Sequence, residues 1–172
     1  MTQGLNPPDL SLPRQALGLA AWLAVCFLTA FIGAMASINA PTFYGQLTQP
    51  GWAPPAWLFG PVWTTLFVMM AVAAWLVWRR GGFGAQRGPL LLFLAQLAVN
   101  GLWSWLFFAW QFGGPAFVDI VILWLLIAAT ISTFWRTSWL AGLLLVPYLA
   151  WVSFAGALNY TVWRLNPQIL GG

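Results

Sequence analysis

The sequence has 172 residues, of which 62% are hydrophobic and only 5% are charged. Since a water-soluble domain carries about 25% charged residues, this composition excludes an ordinary soluble globular protein. Six basic residues, all arginine, oppose two aspartates for a net charge of +4, and histidine is absent. The arginines flank apolar runs, where they act as topology signals and contact lipid headgroups, so we expect no nucleic-acid partner.

Five apolar runs are long enough to cross a bilayer as helices, which takes about 20 residues. A transmembrane barrel is excluded because its strands alternate over about ten residues, whereas these runs are continuous. The sequence therefore predicts an all-α membrane protein, a five-transmembrane-helix bundle. Its single domain covers 16–164, between an N-terminal tail (1–15) and a C-terminal tail (165–172), with helices at about 16–38, 57–78, 89–110, 117–135 and 140–163.

The first run has some features of a cleaved signal peptide, because Arg14 precedes it and Ala34-Met35-Ala36 resembles a cleavage site. The run is longer than the apolar core of a signal peptide, about 7–15 residues, which favours a permanent helix. We expect this helix to end near Asn39, since the residue before Pro41 is biased out of helix.

The longest connection, 39–56, has no charged residue and leads into the stretch QPGWAPPAWLFGPVW at 49–63. Trp52 and Trp57 are expected to anchor it at the membrane interface. Pro61 suits the first turn of helix two, which brings Trp63 deeper. The other connections are short, which predicts that sequential helices are antiparallel neighbours.

The arginines are distributed unevenly between the two ends of the predicted bundle. In a plasma membrane, the positive-inside rule then places the N-terminus in the cytoplasm and the first connection outside. Arg164 lies at the same end of the predicted bundle as the first connection. The opposite end of the bundle holds Arg14, Arg79, Arg80, Arg87 and Arg136.

Helix three carries a stripe of two amides and two aromatic rings at spacings of 4, 3 and 4. These are Gln96, Asn100, Trp103 and Phe107. At about 100° per residue they share one face. Amides inside a membrane are costly unless they face protein or a polar ligand, so they either line a pocket or hydrogen-bond neighbouring helices.

Two further helices carry similar stripes. If the three stripes converge, they form an apolar cavity with a few polar groups, the usual composition of a small-molecule site; close packing of the rings is the alternative. The stripes are Phe59, Trp63 and Phe67 on helix two, and Tyr148, Trp151, Ala155 and Leu158 on helix five.

Residues suited to catalysis are scarce. Asp119, about three residues into helix four, is the one acidic candidate within the apolar runs, and interfacial placement near a helix N-terminus explains it best. Without histidine, lysine or glutamate, no triad, carboxylate pair or metal cluster can be assembled. We therefore predict no catalytic residues, no metal and no cofactor, and favour binding over catalysis.

Three motifs in order, PGWAPPAWLFGPVW (50–63), QLAVNGLWSWLFF (96–108) and PYLAWVSFAGALNYTVWR (147–164), resemble the tryptophan-rich sensory protein/translocator protein family, also called the peripheral-type benzodiazepine receptor family. The resemblance covers about 40–164. It implies a homodimeric five-helix bundle that binds porphyrins, sterols and synthetic aromatic ligands beneath the first connection.

The resemblance also implies a set of ligand-binding residues. The run 158–164 additionally fits a weak cholesterol pattern through Leu158, Tyr160 and Arg164, but we favour the interpretation that these residues anchor a helix end. The implied pocket residues are Tyr44, Trp63, Phe67, Asn100, Trp103, Phe107, Tyr148, Trp151 and Ala155, and the helix-three stripe adds Gln96.

The leading hypothesis for function is an integral receptor or carrier in a bacterial cell membrane that binds tetrapyrroles such as protoporphyrin IX, or sterol-like molecules, as ligands. Its other partners would be membrane lipids and a second copy of the chain. A light- and oxygen-dependent porphyrin-degrading enzyme is the first alternative, and a membrane scaffold without a ligand is the second.

Overall fold

The computed structural model describes residues 11–171, so most of the predicted N-terminal tail and Gly172 lie outside the described residues. A 3-10 turn (Ala56–Leu58) precedes the third helix, and a π-helical segment (Trp105–Ala109) continues the fifth. The α-helices in the described range are α1 (Leu12–Ala36), α2 (Ala40–Gln46), α3 (Phe59–Trp78), α4 (Gly82–Ala85), α5 (Arg87–Ser104), α6 (Gly113–Thr137), α7 (Trp139–Leu165) and α8 (Pro167–Leu170).

Five of these helices, namely α1, α3, α5, α6 and α7, are long and apolar enough to cross a membrane, α3 and α5 together with their adjoining 3-10 and π segments. No strand occurs between residues 11 and 171. The predicted fold class, an all-α bundle of five transmembrane helices, is confirmed.

Prolines account for the main differences between predicted and observed helix ends. Helix α1 begins at Leu12 with Pro13 in its first turn, where the missing N–H costs little. It ends at Ala36, and Pro41 then lies in the first turn of α2. The sequence prediction treated Pro41 only as a helix stop and missed that it starts a new helix.

The membrane helices form a closed ring in the order α1, α3, α7, α6, α5 and back to α1. The expectation that every short connection joins neighbours holds for α5–α6 and α6–α7. It is wrong for α3 and α5, which touch at few positions. Their connection contains α4 and a left-handed Gly81 (φ 100°), and it is long enough to pass the end of α1.

The end of the bundle that carries most of the arginines is densely packed. On α3, Met70, Ala74 and Val77 are completely buried, and the small alanine lets neighbouring helices approach closely. Gly18 of α1 lies so close to the Trp78 ring that a Cβ atom would collide with it. The opposite end has large aromatic residues in place of these small ones, and there the helices enclose a hollow.

Candidate functional site

The hollow is a cavity of about 730 Å³ at the end of the bundle that faces α2. Its walls come from the C-terminal halves of α1, α5 and α7, from the first turns of α3, and from α2 above. A volume between about 300 and 1,000 Å³ is typical of small-molecule pockets. The size and position therefore suit an organic ligand held within the membrane.

Ten of the residues that line the cavity are aromatic. Trp103 stacks on Phe107 with ring centroids 5.4 Å apart and an interplanar angle of 11°. The ring centroids of Trp63 and Phe67 on α3 are 5.8 Å apart. The Trp151 ring makes an edge contact with the Phe59 ring, also with a centroid distance of 5.8 Å. These flat surfaces favour stacking or edge contacts with a planar ligand.

The π-helical segment determines how α5 ends in the cavity. One extra residue per turn brings both Phe107 and Phe108 into the wall, and their rings are 5.1 Å apart. Just beyond it, Gln111 has a positive φ of 57°, which is rare for a residue other than glycine. Such π segments are frequent at functional sites, and this one makes room for two rings where a regular helix would present one.

A few polar side chains lie among the aromatic ones in the wall. Asn100 lines the cavity and donates from Nδ2 to the Tyr148 hydroxyl oxygen at 3.0 Å. Asn159 fixes the Trp103 ring, because its Oδ1 accepts from Trp103 Nε1 at 3.0 Å while its Nδ2 donates to the Gly113 carbonyl at 3.1 Å. The site thus combines broad apolar surfaces with few, well-held polar side chains.

The roof of the cavity consists of α2 and the chain that follows it. Tyr44 lines the cavity from above and packs edge-on against Phe59 at 5.8 Å. Burial raises the pKa of its phenol, so Tyr44 is neutral at physiological pH. A reciprocal pair holds the roof down: Thr48 N–H donates to Asn166 Oδ1 at 2.8 Å, and Asn166 Nδ2 donates to the Thr48 carbonyl at 2.9 Å.

One side of the cavity reaches the outer surface of the bundle. Phe31 on α1 is 62% exposed and Thr64 on α3 is also exposed, yet both line the cavity. We call the boundary between α1 and α3 at these two residues the aperture. Helix α1 also has a largely exposed surface, so residues on the outside of the bundle border this side of the cavity.

Comparison with known proteins agrees with this architecture. Residues 14–164 match the TspO/MBR family. The chain belongs to that family. It is 43% identical over 159 residues to the tryptophan-rich protein TspO of Chlorobaculum tepidum, covering 90% of this chain and 99% of that protein. It is 37% identical over 145 residues to the tryptophan-rich sensory protein of Cereibacter sphaeroides, covering 84% and 89%.

A mammalian relative shares the same region. The translocator protein of Homo sapiens is 43% identical over 132 residues, which is 76% of this chain and 78% of that protein. As a TspO/MBR protein with five membrane-spanning helices and relatives in bacteria, the chain is an integral membrane protein of the bacterial type. The family resemblance in the three sequence motifs is confirmed.

The structure brings most of the predicted pocket residues of this TspO/MBR chain into one wall. Gln96 and Tyr148 are the exceptions, because both are buried behind Asn100 and neither lines the cavity. The residues that line it as expected are Tyr44, Trp63, Phe67, Asn100, Trp103, Phe107, Trp151 and Ala155.

The three residues of the weak sterol pattern do not come together. Leu158 lines the cavity. Tyr160 lies on another face of α7, is 47% exposed, and packs against Phe117 with ring centroids 5.2 Å apart. Arg164 is exposed near the end of the helix. At about 100° per residue, positions two apart on a helix point in different directions, so the pattern describes a helix end with interfacial anchors.

Asp119 also lies elsewhere than predicted. Because α6 begins at Gly113, Asp119 is in the second turn rather than the first. It is buried, does not line the cavity, and its Oδ2 has no hydrogen-bond partner among the described residues. No cluster of three or more potential metal ligands occurs between residues 11 and 171.

Sequence reasoning missed the contribution of α1. Thr29, Gly33 and Ser37 recur every four residues and line the cavity, and a Cβ on Gly33 would lie 3.1 Å from Ser104 Oγ. The signal was this stripe of small and weakly polar residues, which indicates close helix packing but not a cavity. Asn159 was also missed, although its amide position on the face of Ala155 is visible in the sequence.

Proposed function

We propose that this TspO/MBR protein is a membrane receptor or carrier, with a sensory or transport role, that binds flat apolar ligands in the cavity. Tetrapyrroles such as protoporphyrin IX are the first candidates and sterols the second. The 730 Å³ cavity with its aromatic walls carries the proposal. The porphyrin is treated as the ligand and not as a cofactor.

The chemistry of the wall supports a planar and mostly uncharged ligand. Among the described residues that line the cavity there is no acidic or basic side chain, so a charged ring system would lose its hydration without gaining an ion pair. Stacked pairs such as Trp103 and Phe107 offer parallel apolar surface instead. The charged propionates of a porphyrin would point towards the roof, where the bilayer interface supplies water.

The proposal is tested by titrating protoporphyrin IX into the purified protein while following tryptophan fluorescence. Replacing Trp63, Asn100 and Trp151 together by alanine should weaken binding at least about tenfold, equal to about 1.4 kcal/mol. Trp139→Ala is the matched control, because this indole is 63% exposed and does not line the cavity. An unchanged dissociation constant in the triple variant would reject the site.

Two further measurements separate this receptor from the alternative functions. A bound ligand at 100 times its dissociation constant should stabilise the folded protein by about 2.7 kcal/mol, whereas a scaffold without a ligand gains nothing. Because Trp63 and Trp151 would border a bound pigment, the complex should also be illuminated in oxygen. A new bilin-like absorption would indicate an enzyme, and the bleaching of free porphyrin alone would indicate a receptor.

A further inference from the structure

A chain of three hydrogen-bonded side chains runs from the cavity wall into the protein. Asn100 Nδ2 donates to the Tyr148 hydroxyl at 3.0 Å, and this hydroxyl donates to Gln96 Oε1 at 2.9 Å. Asn100, Tyr148 and Gln96 are 6%, 0% and 1% exposed. We call this chain the amide relay. Its far end is incomplete, because Gln96 Nε2 is buried without an acceptor among the described residues.

The hydrogen bonds of the amide relay can run in either donor-to-acceptor direction while the three side chains keep their positions. A tyrosine hydroxyl both donates and accepts, and each amide has a donor end and an acceptor end of similar shape. If both amides turn over, Gln96 Nε2 donates to Tyr148, Tyr148 donates to Asn100 Oδ1, and Asn100 turns its NH₂ group to the cavity. Both directions contain two hydrogen bonds and leave one polar atom of Gln96 unpaired, so their free energies are close.

The other amide in the wall has no such freedom. Asn159 uses Oδ1 for the Trp103 N–H and Nδ2 for the Gly113 carbonyl. Neither partner can reverse its role, because an indole N–H only donates and a carbonyl only accepts. Asn100 is therefore the one amide in the described cavity wall whose presented group can change while its own hydrogen bond to protein is kept.

We propose that the amide relay is a reversible adaptor that lets the cavity accept two chemical classes of ligand. Flat aromatic molecules with an N–H donor select the direction in which Asn100 presents its oxygen. Those with a carbonyl acceptor select the opposite direction. The inference rests on the proposed function, since it requires a ligand in the cavity, and it makes Gln96 and Tyr148 positioning residues that determine specificity without touching the ligand.

Three tricyclic probes of nearly equal shape test the relay. Carbazole donates through its N–H, fluorenone accepts through its carbonyl, and fluorene does neither. In the unmodified protein both carbazole and fluorenone should bind about fivefold more tightly than fluorene, the effect of one neutral hydrogen bond. Affinities are measured by competition with a fluorescent ligand or by quenching of tryptophan fluorescence.

The variants Gln96→Met and Gln96→Glu separate the effect of hydrogen-bond direction in the relay from the effect of side-chain packing at position 96. Methionine keeps the length of the side chain but accepts no strong hydrogen bond, so Tyr148 must donate to Asn100 and fix its NH₂ towards the cavity. Carbazole should then fall to the affinity of fluorene while fluorenone keeps its advantage. Glutamate offers an oxygen to Tyr148 in either protonation state, so Gln96→Glu should retain the carbazole advantage.

The outcomes distinguish failure of the relay from failure of the proposed function. If neither protoporphyrin IX nor any of the probes binds, the cavity is not a ligand site and both proposals fall. If protoporphyrin IX binds but none of the probes does, only the relay inference is overturned. If all three bind equally to the unmodified protein, or if Gln96→Met weakens all three equally, the relay inference is wrong while the cavity stands. Should Gln96→Met not fold, the side-chain amide signals of Asn100 in the unmodified ¹⁵N-labelled protein decide: carbazole and fluorenone should shift them in opposite directions, and equal shifts would overturn the relay.

Discussion

At the scale of single residues, Asn159 shows how one buried amide determines the shape of the wall. It is 2% exposed and joins Trp103 of α5 to the Gly113 carbonyl at the start of α6. The side chain of Asn159 on α7 therefore connects three helices. Because Trp103 stacks on Phe107, the position of two aromatic rings depends on this amide.

We expect Asn159→Leu to lower the free energy of unfolding by about 1–3 kcal/mol, since it leaves a buried N–H and a buried carbonyl without partners. Ligand affinity should fall as well, because the Trp103 ring loses its fixed orientation. Thr161→Val is the control: Thr161 bonds only to the Ala157 carbonyl of its own helix. Equal thermal stability of the two variants would contradict the assigned role of Asn159.

The residue scale also shows what the sequence can and cannot predict. Trp63, Asn100 and Trp151 line the cavity as their helical faces indicated, since side-chain direction follows from the 100° turn per residue. Gln96 shares the face of Asn100 but is one turn further from the hollow, and the face alone does not give depth. The Tyr148 ring was misplaced for the same reason.

At the scale of elements, α1 and α3 pack differently at their two ends. Gly18 packs directly against Trp78 at the first end, whereas Phe31 and Thr64 border the cavity at the second. Periodicity indicated which face of α3 is inward but gave no sign of this difference, because it depends on side-chain volumes on two helices together. We expect an apolar ligand to enter the cavity from the bilayer through the aperture.

A pair of adjacent threonines tests entry through the aperture. Thr64 and Thr65 are both exposed, and each hydroxyl bonds to a carbonyl of its own helix at 2.9 Å. Thr64 lines the cavity, whereas Thr65 does not. We expect Thr64→Trp to reduce kon and koff for protoporphyrin IX at least about tenfold with little change in Kd, and Thr65→Trp to leave both rates unchanged. Unaltered rates in Thr64→Trp, measured by stopped-flow fluorescence, would place the entrance elsewhere.

At the scale of the whole molecule, the cavity and most of the arginines lie at opposite ends. In a plasma membrane, the positive-inside rule predicts that the roof faces the outside of the cell. Gly51 in the roof and Gly84 in α4 have open space around them, and the native Cys26 is fully buried. In intact cells, a membrane-impermeant maleimide should label Gly51→Cys and leave Gly84→Cys unlabelled. The reverse pattern would show that the rule fails for this protein.

The homodimer implied by the family resemblance stays a prediction at this scale. Of three small residues on α5 suited to close packing, Gly101 is buried against Thr29 of the same chain, whereas Ala95 and Ala98 are exposed. We expect Ala98→Trp to convert a dimer into a monomer in detergent, as measured by light scattering. Ala129→Trp, on an exposed position of α6, should not. A monomeric unmodified protein would contradict the prediction.

The paired hydrogen bonds between Thr48 and Asn166 have a practical consequence for anyone who handles this protein. Asn166 lies only one residue before α8, and Leu170 of α8 is buried in the same cluster as Tyr44. Helix α8 and the roof of the cavity are therefore joined by hydrogen bonds and by apolar packing, and we expect them to shift together. A fluorescent reporter fused after residue 170 should respond when a ligand occupies the cavity. For the same reason, a bulky purification tag at this position would change the measured ligand affinity.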